Sequence, residues 1–395
     1  FVQTLLPNAD VAGERVIMKI TGPLVDIRVK LAPETHGPCV VEDEKGRKTL
    51  CVHQVLRALH GMLIAALLWH KMFRTDLESI GFEFNPYDAC VANRLVNGKQ
   101  HTMRFHVDDL WSSHIEAETN KQFLKWLNEK YGDHGEVKAD CSQKFDYLGM
   151  NFDLTEPGVL KIDMIKCMKA MVKDFPEDLT GTSENHAAPP NLFHESKGEL
   201  LAKEKAEAYH TFVAKGLFAC KRARPDIHPS IAILCTRVSK PRESDWTKLQ
   251  HLMRFINGTA DDKLILRADN LHIIKWYVDA SFAVHPDFRS HTGIGMTFGK
   301  GFPITKSSKQ KLNTRSSTES ELVGADSASQ MILWTKFFME AQGCPITENI
   351  LYQDNKSTIL LLENGKCSSS QCTRAINIRY FFLTDQNEKG RILPD

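Results

Sequence analysis

The sequence has no CxxC pair. Its ten cysteines are scattered singly, and the nearest two, Cys367 and Cys372, lack a second pair at zinc spacing. Neither a disulfide scaffold nor a zinc ribbon is expected, and the thiols read as reduced groups of an intracellular protein. Long hydrophobic runs are missing too. The longest, residues 58–69, is interrupted by His60 and Gly61 and is too short to span a bilayer. No secretory signal is visible, so a soluble chain with no membrane partner is expected. An excess of either charge is also absent, with 50 Lys and Arg against 49 Asp and Glu, a net +1. Any affinity for nucleic acid must then come from local basic patches, because phosphate neutralisation depends on where charge is placed. No methionine stands at position 1, and the residues after Phe1 read as mid-fold strand and loop, which suggests a fragment of a longer product. What is present is 395 residues, 42% hydrophobic and 25% charged, the balance of a globular protein with two or three domains.

Residues 16–55 read as short strands and turns, punctuated by Thr21 Gly22 Pro23. Residues 52–80 change to helical spacing, with Val55, Leu59, Leu63, Leu67 and Leu77 among the apolar positions. A hairpin follows, since Asn97 Gly98 between two apolar runs supplies the positive dihedrals of a type I′ turn. Its second strand, Met103 Arg104 Phe105 His106 Val107, alternates with period two and ends in Asp108 Asp109. An Asp pair there has two readings: a turn, because Asp bonds its own backbone, or a divalent-metal site, because hard cations want clustered carboxylates. A helix is predicted over 115–131 and a strand over 146–152. Pro176, Gly181, Pro189 and Pro190 break periodicity, so 175–198 reads as a linker or long loop. Helices at 203–222 and 244–257 follow, the second with Ser244 as cap and Gly258 just past its end. This middle region shows no chemistry of its own.

The last third reads as three antiparallel strands (273–280, 292–298 and 302–306), a helix over 316–342, a strand at 349–353 and a helix at 355–362. That order makes a mixed sheet with helices packed on it. Asp279 falls in the first strand, Glu321 in the first turns of the long helix and Asp354 just past the fourth strand. Strand ends and helix starts of such a sheet converge at one edge, and three like charges meeting there need a cation. Ser316 x x Glu319 is a capping box, which gives Glu319 a structural duty and leaves Glu321 as the ligand. Between strand and helix, Lys306, Lys309, Lys311 and Arg315 stand among hydroxyl and amide side chains, a composition suited to phosphate contacts or to a solvated loop.

These residues resemble the polyprotein of a copia-type LTR retrotransposon across its reverse transcriptase, connecting region and ribonuclease H. His106 Val107 Asp108 Asp109 resembles the family's Tyr-x-Asp-Asp hairpin, the run from Val55 to Gly61 with Trp69 its Leu-Lys-x-Ala-Leu-Tyr-Gly helix, and Tyr147 Leu148 Gly149 its Phe-Leu-Gly strand. Arg224 Pro225 Asp226 Ile227 resembles the connecting region. Tyr277 Val278 Asp279 Ala280, the run Ser316 to Glu321, Asp354 Asn355 and Asn377 Ile378 Arg379 Tyr380 resemble the ribonuclease H signature. The resemblance implies an α+β fold: a palm and fingers fragment over 1–155, a helical thumb or connection over 156–272, and a ribonuclease H-like mixed-sheet domain over 273–395.

It also implies RNA-directed DNA polymerase activity at Asp108 and Asp109, with Phe1 as the aromatic that gates the nucleotide sugar, and RNA–DNA hybrid cleavage at Asp279, Glu321 and Asp354. Each site would use two Mg2+, or Mn2+ in their place. Implied partners are an RNA template, a DNA primer, dNTPs and the hybrid, together with the capsid, protease and integrase of the same polyprotein. The implied location is the cytoplasm, in a virus-like particle, or the nucleus. Departures from the family pattern point the other way. Its third polymerase Asp lies before Phe1, outside this chain. Its hairpin Tyr is His106, its Gln-Ala-Pro reads Ile64 Ala65 Ala66, and its Lys-His-Ile-Asp reads Arg374 Ala375 Ile376 Asn377, leaving Asn377 or Asp385 in place of a fourth carboxylate. The rival expectation is a catalytically inactive remnant that still binds nucleic acid.

Overall fold

The structure, a computed structural model, describes residues 17–42, 44–54, 63–365 and 381–395. The chain divides into two compact units, residues 1–139 and 140–395. The boundaries expected at 155/156 and 272/273 both fall inside the second unit, because one sheet stitches 144–153 to the last third, as described below.

In the first unit β1 (Ile17–Thr21), β2 (Val40–Glu42) and β3 (Lys48–Gln54) form a small antiparallel sheet in the order β1-β3-β2. Where only strands and turns are expected, α1 (Pro23–Leu31) intervenes. Pro23 opens that helix, where its missing N–H leaves nothing unpaired and its fixed φ already fits, so Gly-Pro here starts a helix. Val25 packs on Leu50 beneath it. Of the helix predicted over 52–80, residues 52–54 instead end β3, 55–62 lie outside the described residues, and the rest is seen as α2 (Leu63–Ser79). A four-stranded antiparallel meander follows: β4 (Glu83–Asn85), β5 (Asp88–Val96), β6 (Lys99–His106) and β7 (Asp109–Ser113). Asn97 and Gly98 both take positive φ, 52° and 72°, as a type I′ turn requires. α2 and α3 (Ala117–Tyr131) cover one face of this sheet, with Trp69, Phe73 and Leu77 at helical spacing meeting Phe105 and Phe123.

The second unit begins with a difference from the sequence reading. The single strand predicted at 146–152 is a hairpin, β8 (Lys144–Tyr147) and β9 (Met150–Asp153), reversed by Leu148 and Gly149 at φ 51° and 76°. β10 (Leu160–Asp163) and α4 (Ile165–Asp174) follow. Residues 175–198 hold no helix or strand, as expected, although Leu179 and Leu192 are buried. α5 (Lys203–Cys220), α6 (His228–Cys235) and α7 (Glu243–Gly258) come next. The α7 cap is not Ser244 but Arg242, whose N–H donates to Asp245 Oδ2 at 3.0 Å, and Gly258 is the last helical residue.

β11 (Leu264–Ala268) leads into β12 (Ile273–Ser281), β13 (His291–Thr297), β14 (Gly299–Lys300) and β15 (Ile304–Lys309). β14 leaves its neighbours to pair with β11, closing a sheet in the order β14-β11-β10-β9-β8. After α8 (Ser317–Ala341), β16 (Glu348–Tyr352), α9 (Lys356–Asn364), α10 (Phe381–Glu388) and β17 (Leu393–Pro394) complete the chain. The remaining sheet has the order β15-β13-β12-β16-β17, antiparallel across β12, β13 and β15 and parallel across β12, β16 and β17. α8 lies on one of its faces, Leu322, Ala325 and Ile332 packing against Trp276 and Val278. The result is a mixed α/β molecule. No described helix is long and apolar enough to cross a membrane.

Candidate metal centre

Period-two alternation along β12 turns Ile274, Trp276, Val278 and Ala280 into the core beneath α8 and leaves Asp279 on the opposite, exposed face. β16 repeats the pattern: Asn349, Leu351 and Gln353 are buried, and Asp354 beyond its end is exposed. Because β12 and β16 are parallel neighbours, Tyr277 opposite Tyr352, their C-terminal ends bring Asp279 and Asp354 together. α8 is started by Ser316, whose side chain accepts the Glu319 N–H at 3.1 Å, while the Glu319 carboxylate accepts the Arg315 N–H. Glu319 is thus spent on the helix start, and Glu321, two positions on, turns toward β12 and is only 6% exposed. One carboxylate oxygen from each of Asp279, Glu321 and Asp354 lies within 4.8 Å of the others.

Glu321 is held from both sides. Its Oε1 accepts the Ala280 N–H at 3.1 Å and its Oε2 accepts Gln353 Nε2–H at 3.2 Å. Burial nevertheless pushes its pKa up to about 7, with the charges of Asp279 and Asp354 adding to the rise against those two hydrogen bonds. Among the described residues neither Asp279 nor Asp354 forms an ion pair with Lys or Arg. A partly buried trio of oxygen donors that, among the described residues, is paired with no protein cation fits a hard divalent ion such as Mg2+ or Mn2+.

A cavity of about 730 Å³ opens beside the trio on the sheet face away from α8. Asp279 and Asp354 line it together with Tyr277, Tyr352, Phe302 and Lys306. The rings of Tyr277 and Tyr352 stack at 4.9 Å. Of the basic run, Lys306 therefore borders the cavity, Lys309 is tied to Asp287 at 2.7 Å, and Lys311 and Arg315 are exposed.

The first pair of carboxylates sits differently. Val107 and Asp108 make the two-residue turn between β6 and β7, Asp109 begins β7 opposite His106, and both Asp side chains are exposed. Val107 takes φ 58°, a left-handed conformation unusual for a β-branched residue, and Trp69 Nε1–H donates to its carbonyl at 2.6 Å. No third metal-ligating side chain joins the pair among the described residues. Phe1 and Asn377 lie outside the described residues. Asp385 is bonded to Lys389 at 2.7 Å and stands apart from the trio.

Two residues at the centre escaped sequence reasoning. Gln353 had a readable signal, an amide on the buried parity of β16 next to Asp354. Asp395 had none: it reaches the cavity only because β17 pairs beside β16, where its carbonyl accepts the Gln353 N–H at 2.9 Å.

No protein-family model matches the chain. It is 29% identical over 178 residues, 45% of this chain and 13% of the relative, to the retrovirus-related Pol polyprotein from transposon TNT 1-94 of Nicotiana tabacum. Over 343 residues, 86% of this chain and 23% of the relative, it is 27% identical to the retrovirus-related Pol polyprotein from transposon RE2 of Arabidopsis thaliana. The chain thus spans less than a quarter of the length of either. The solved prototype foamy virus protease-reverse transcriptase aligns with 92% of this chain and 41% of its own at 14% identity and a TM-score of 0.25, too loose a superposition to decide anything.

Proposed function

We propose that this homologue of the retrovirus-related Pol polyproteins of plant transposons is the reverse transcriptase and ribonuclease H region of a retrotransposon, and that its chemistry is cleavage of the RNA strand of RNA–DNA hybrids at Asp279, Glu321 and Asp354. The observation that carries this reading is the meeting of those three carboxylates, drawn from two parallel strand ends and a helix start, beside a cavity with aromatic walls and a lysine. The strand order β15-β13-β12-β16-β17 with α8 on one face is in keeping with the ribonuclease H-like domain that the sequence resembles.

Asp279, Glu321 and Asp354 would hold the divalent ions, which when bound draw a phosphate oxygen and an attacking water together and offset the developing negative charge. Without a cation the trio repels the phosphate backbone. Asp279 and Asp354, on the exposed face, present oxygens to the strand, while Glu321 holds its position from the buried side. Lys306, with Lys311 and Arg315 further along, supplies phosphate contacts that position the duplex without reading sequence. The 2′-hydroxyl distinguishes the strand to be cut. Asp108 and Asp109 belong to the polymerase site of the same reading. The template, primer, dNTPs and companion capsid, protease and integrase follow from the polyprotein context, as does assembly in a cytoplasmic particle.

The test is incubation of the chain with an RNA–DNA hybrid and Mg2+, beside Asp279→Asn. The native chain is expected to shorten the RNA strand and spare the DNA, and Asp279→Asn to lose at least two orders of magnitude in rate, a factor typical of removing transition-state charge stabilisation. Binding of the hybrid with no magnesium-dependent loss of RNA, or equal loss in both proteins, would establish the inactive remnant instead.

A further inference from the structure

We propose that Gln353 is the positioning residue of the carboxylate centre, its single buried amide fixing the three chain segments that carry Asp279, Glu321 and Asp354 in one register. This rests on reading the trio as a divalent-cation site. Gln353 is 6% exposed and its amide is fully engaged. Nε2 donates to Glu321 Oε2 at 3.2 Å and to the Val278 carbonyl at 3.4 Å, and Oε1 accepts the Asn355 N–H at 3.1 Å. Val278 precedes Asp279, and Gln353 and Asn355 flank Asp354. One side chain therefore bonds to the neighbours of two of the acids and directly to the third.

A second set of bonds closes the same loop. Asn355 Oδ1 caps α9 by accepting the Thr358 N–H at 3.1 Å, and Asn355 Nδ2 donates to Thr318 Oγ1, three residues before Glu321. The other oxygen of Glu321 accepts the N–H of Ala280, the residue after Asp279. Each oxygen of Glu321 is thus aimed by a residue adjacent in sequence to one of the other two ligands.

The chemical type of residue 353 matters as much as its reach. A lysine at this position would neutralise Glu321 and compete with the ion, and a carboxylate would set an acceptor against an acceptor. A neutral amide can donate to Glu321 and accept from Asn355 at once without altering the charge presented to a cation. An amide that served only to satisfy a buried interior would affect stability and leave cation affinity alone.

Those two outcomes separate by calorimetric titration of Mn2+ into the full chain and into Gln353→Met, which keeps the length and loses both hydrogen-bonding ends. Gln353→Asn, a polar amide too short to span Glu321 and Asn355, serves should the first fail to fold. Unfolding midpoints of all three are measured in EDTA. We expect the Mn2+ dissociation constant to weaken about 10- to 100-fold in either variant, the range for groups that orient metal ligands. A lowered midpoint with an unchanged dissociation constant overturns the positioning role while leaving the metal centre intact. No binding by the native chain overturns the metal reading and the positioning role together.

Discussion

His101 is fully buried within the sheet of the first unit, yet both of its ring nitrogens are partnered. Arg94 Nε donates to Nδ1 at 3.2 Å, which puts the ring proton on Nε2, 2.8 Å from Ser112 Oγ, and Ser112 in turn donates to Asn120 Oδ1 at 2.7 Å. The chain works only with a neutral imidazole, because protonation at Nδ1 would oppose one donor to another. Burial pushes the pKa down to about 4, with Arg94 and His114 adding to the shift. The folded value lies below that of the unfolded chain, about 6.5, so between the two the unfolded state binds more protons. Stability from this residue is complete above that upper value and is lost as pH falls toward the lower one, about 2 kcal/mol of it by pH 5. Denaturant unfolding of the native chain and of His101→Gln at pH 7.5 and pH 5 checks this. The advantage of the native chain should shrink by about that amount at the lower pH; an advantage equal at both would mean that the fold does not alter the protonation of this histidine.

At the scale of elements, the join between the two sheets of the second unit rests on Gly301. It adopts φ 75°, and a Cβ there would lie 2.2 Å from the Ile265 carbonyl oxygen and 2.8 Å from Leu266 Cδ2. Gly301→Ala combines left-handed strain with a backbone clash, so a loss of about 2–4 kcal/mol is expected, read as a lower midpoint in urea with an unchanged slope. A loss below about 1 kcal/mol would show that the β14 crossing can be given up without consequence. Nothing local in Gly299 Lys300 Gly301 announces the pairing with β11, which is non-local. That is the general pattern of what was legible. Elements with a clear period and local punctuation, such as β5 and β6 around Asn97 Gly98 or α8 behind Ser316, can be read directly. A leucine at positive φ carries no turn signature, which hides the hairpin at Leu148, and α6 is only 8 residues long with Pro229 in its first turn, too short to show a helical period. Asp279, Glu321 and Asp354 could be gathered because strand ends and helix starts share an edge, whereas the partners of Gln353 depend on parallel pairing across 75 residues.

At the scale of the molecule, two compact units in one chain need not melt together, and only residues 140–395 hold the carboxylate trio. A ligand that binds the native state alone stabilises it by mass action, about 2.7 kcal/mol at a free concentration one hundred times the dissociation constant. For a unit of this size that corresponds to a rise of roughly 5–10 °C in its melting temperature. Scanning calorimetry is therefore expected to show two transitions, of which one moves upward with added Mn2+ and the other stays in place. In Asp279→Asn neither should move. That variant has lost one of the mutually repelling carboxylates of the trio, so without cation its second unit should melt no lower than the native one. A single transition, or an equal upward shift of both, would mean that the units unfold as one body or that the ion binds elsewhere. A shift retained in Asp279→Asn would take the cation away from the trio, and with it the nuclease chemistry proposed there.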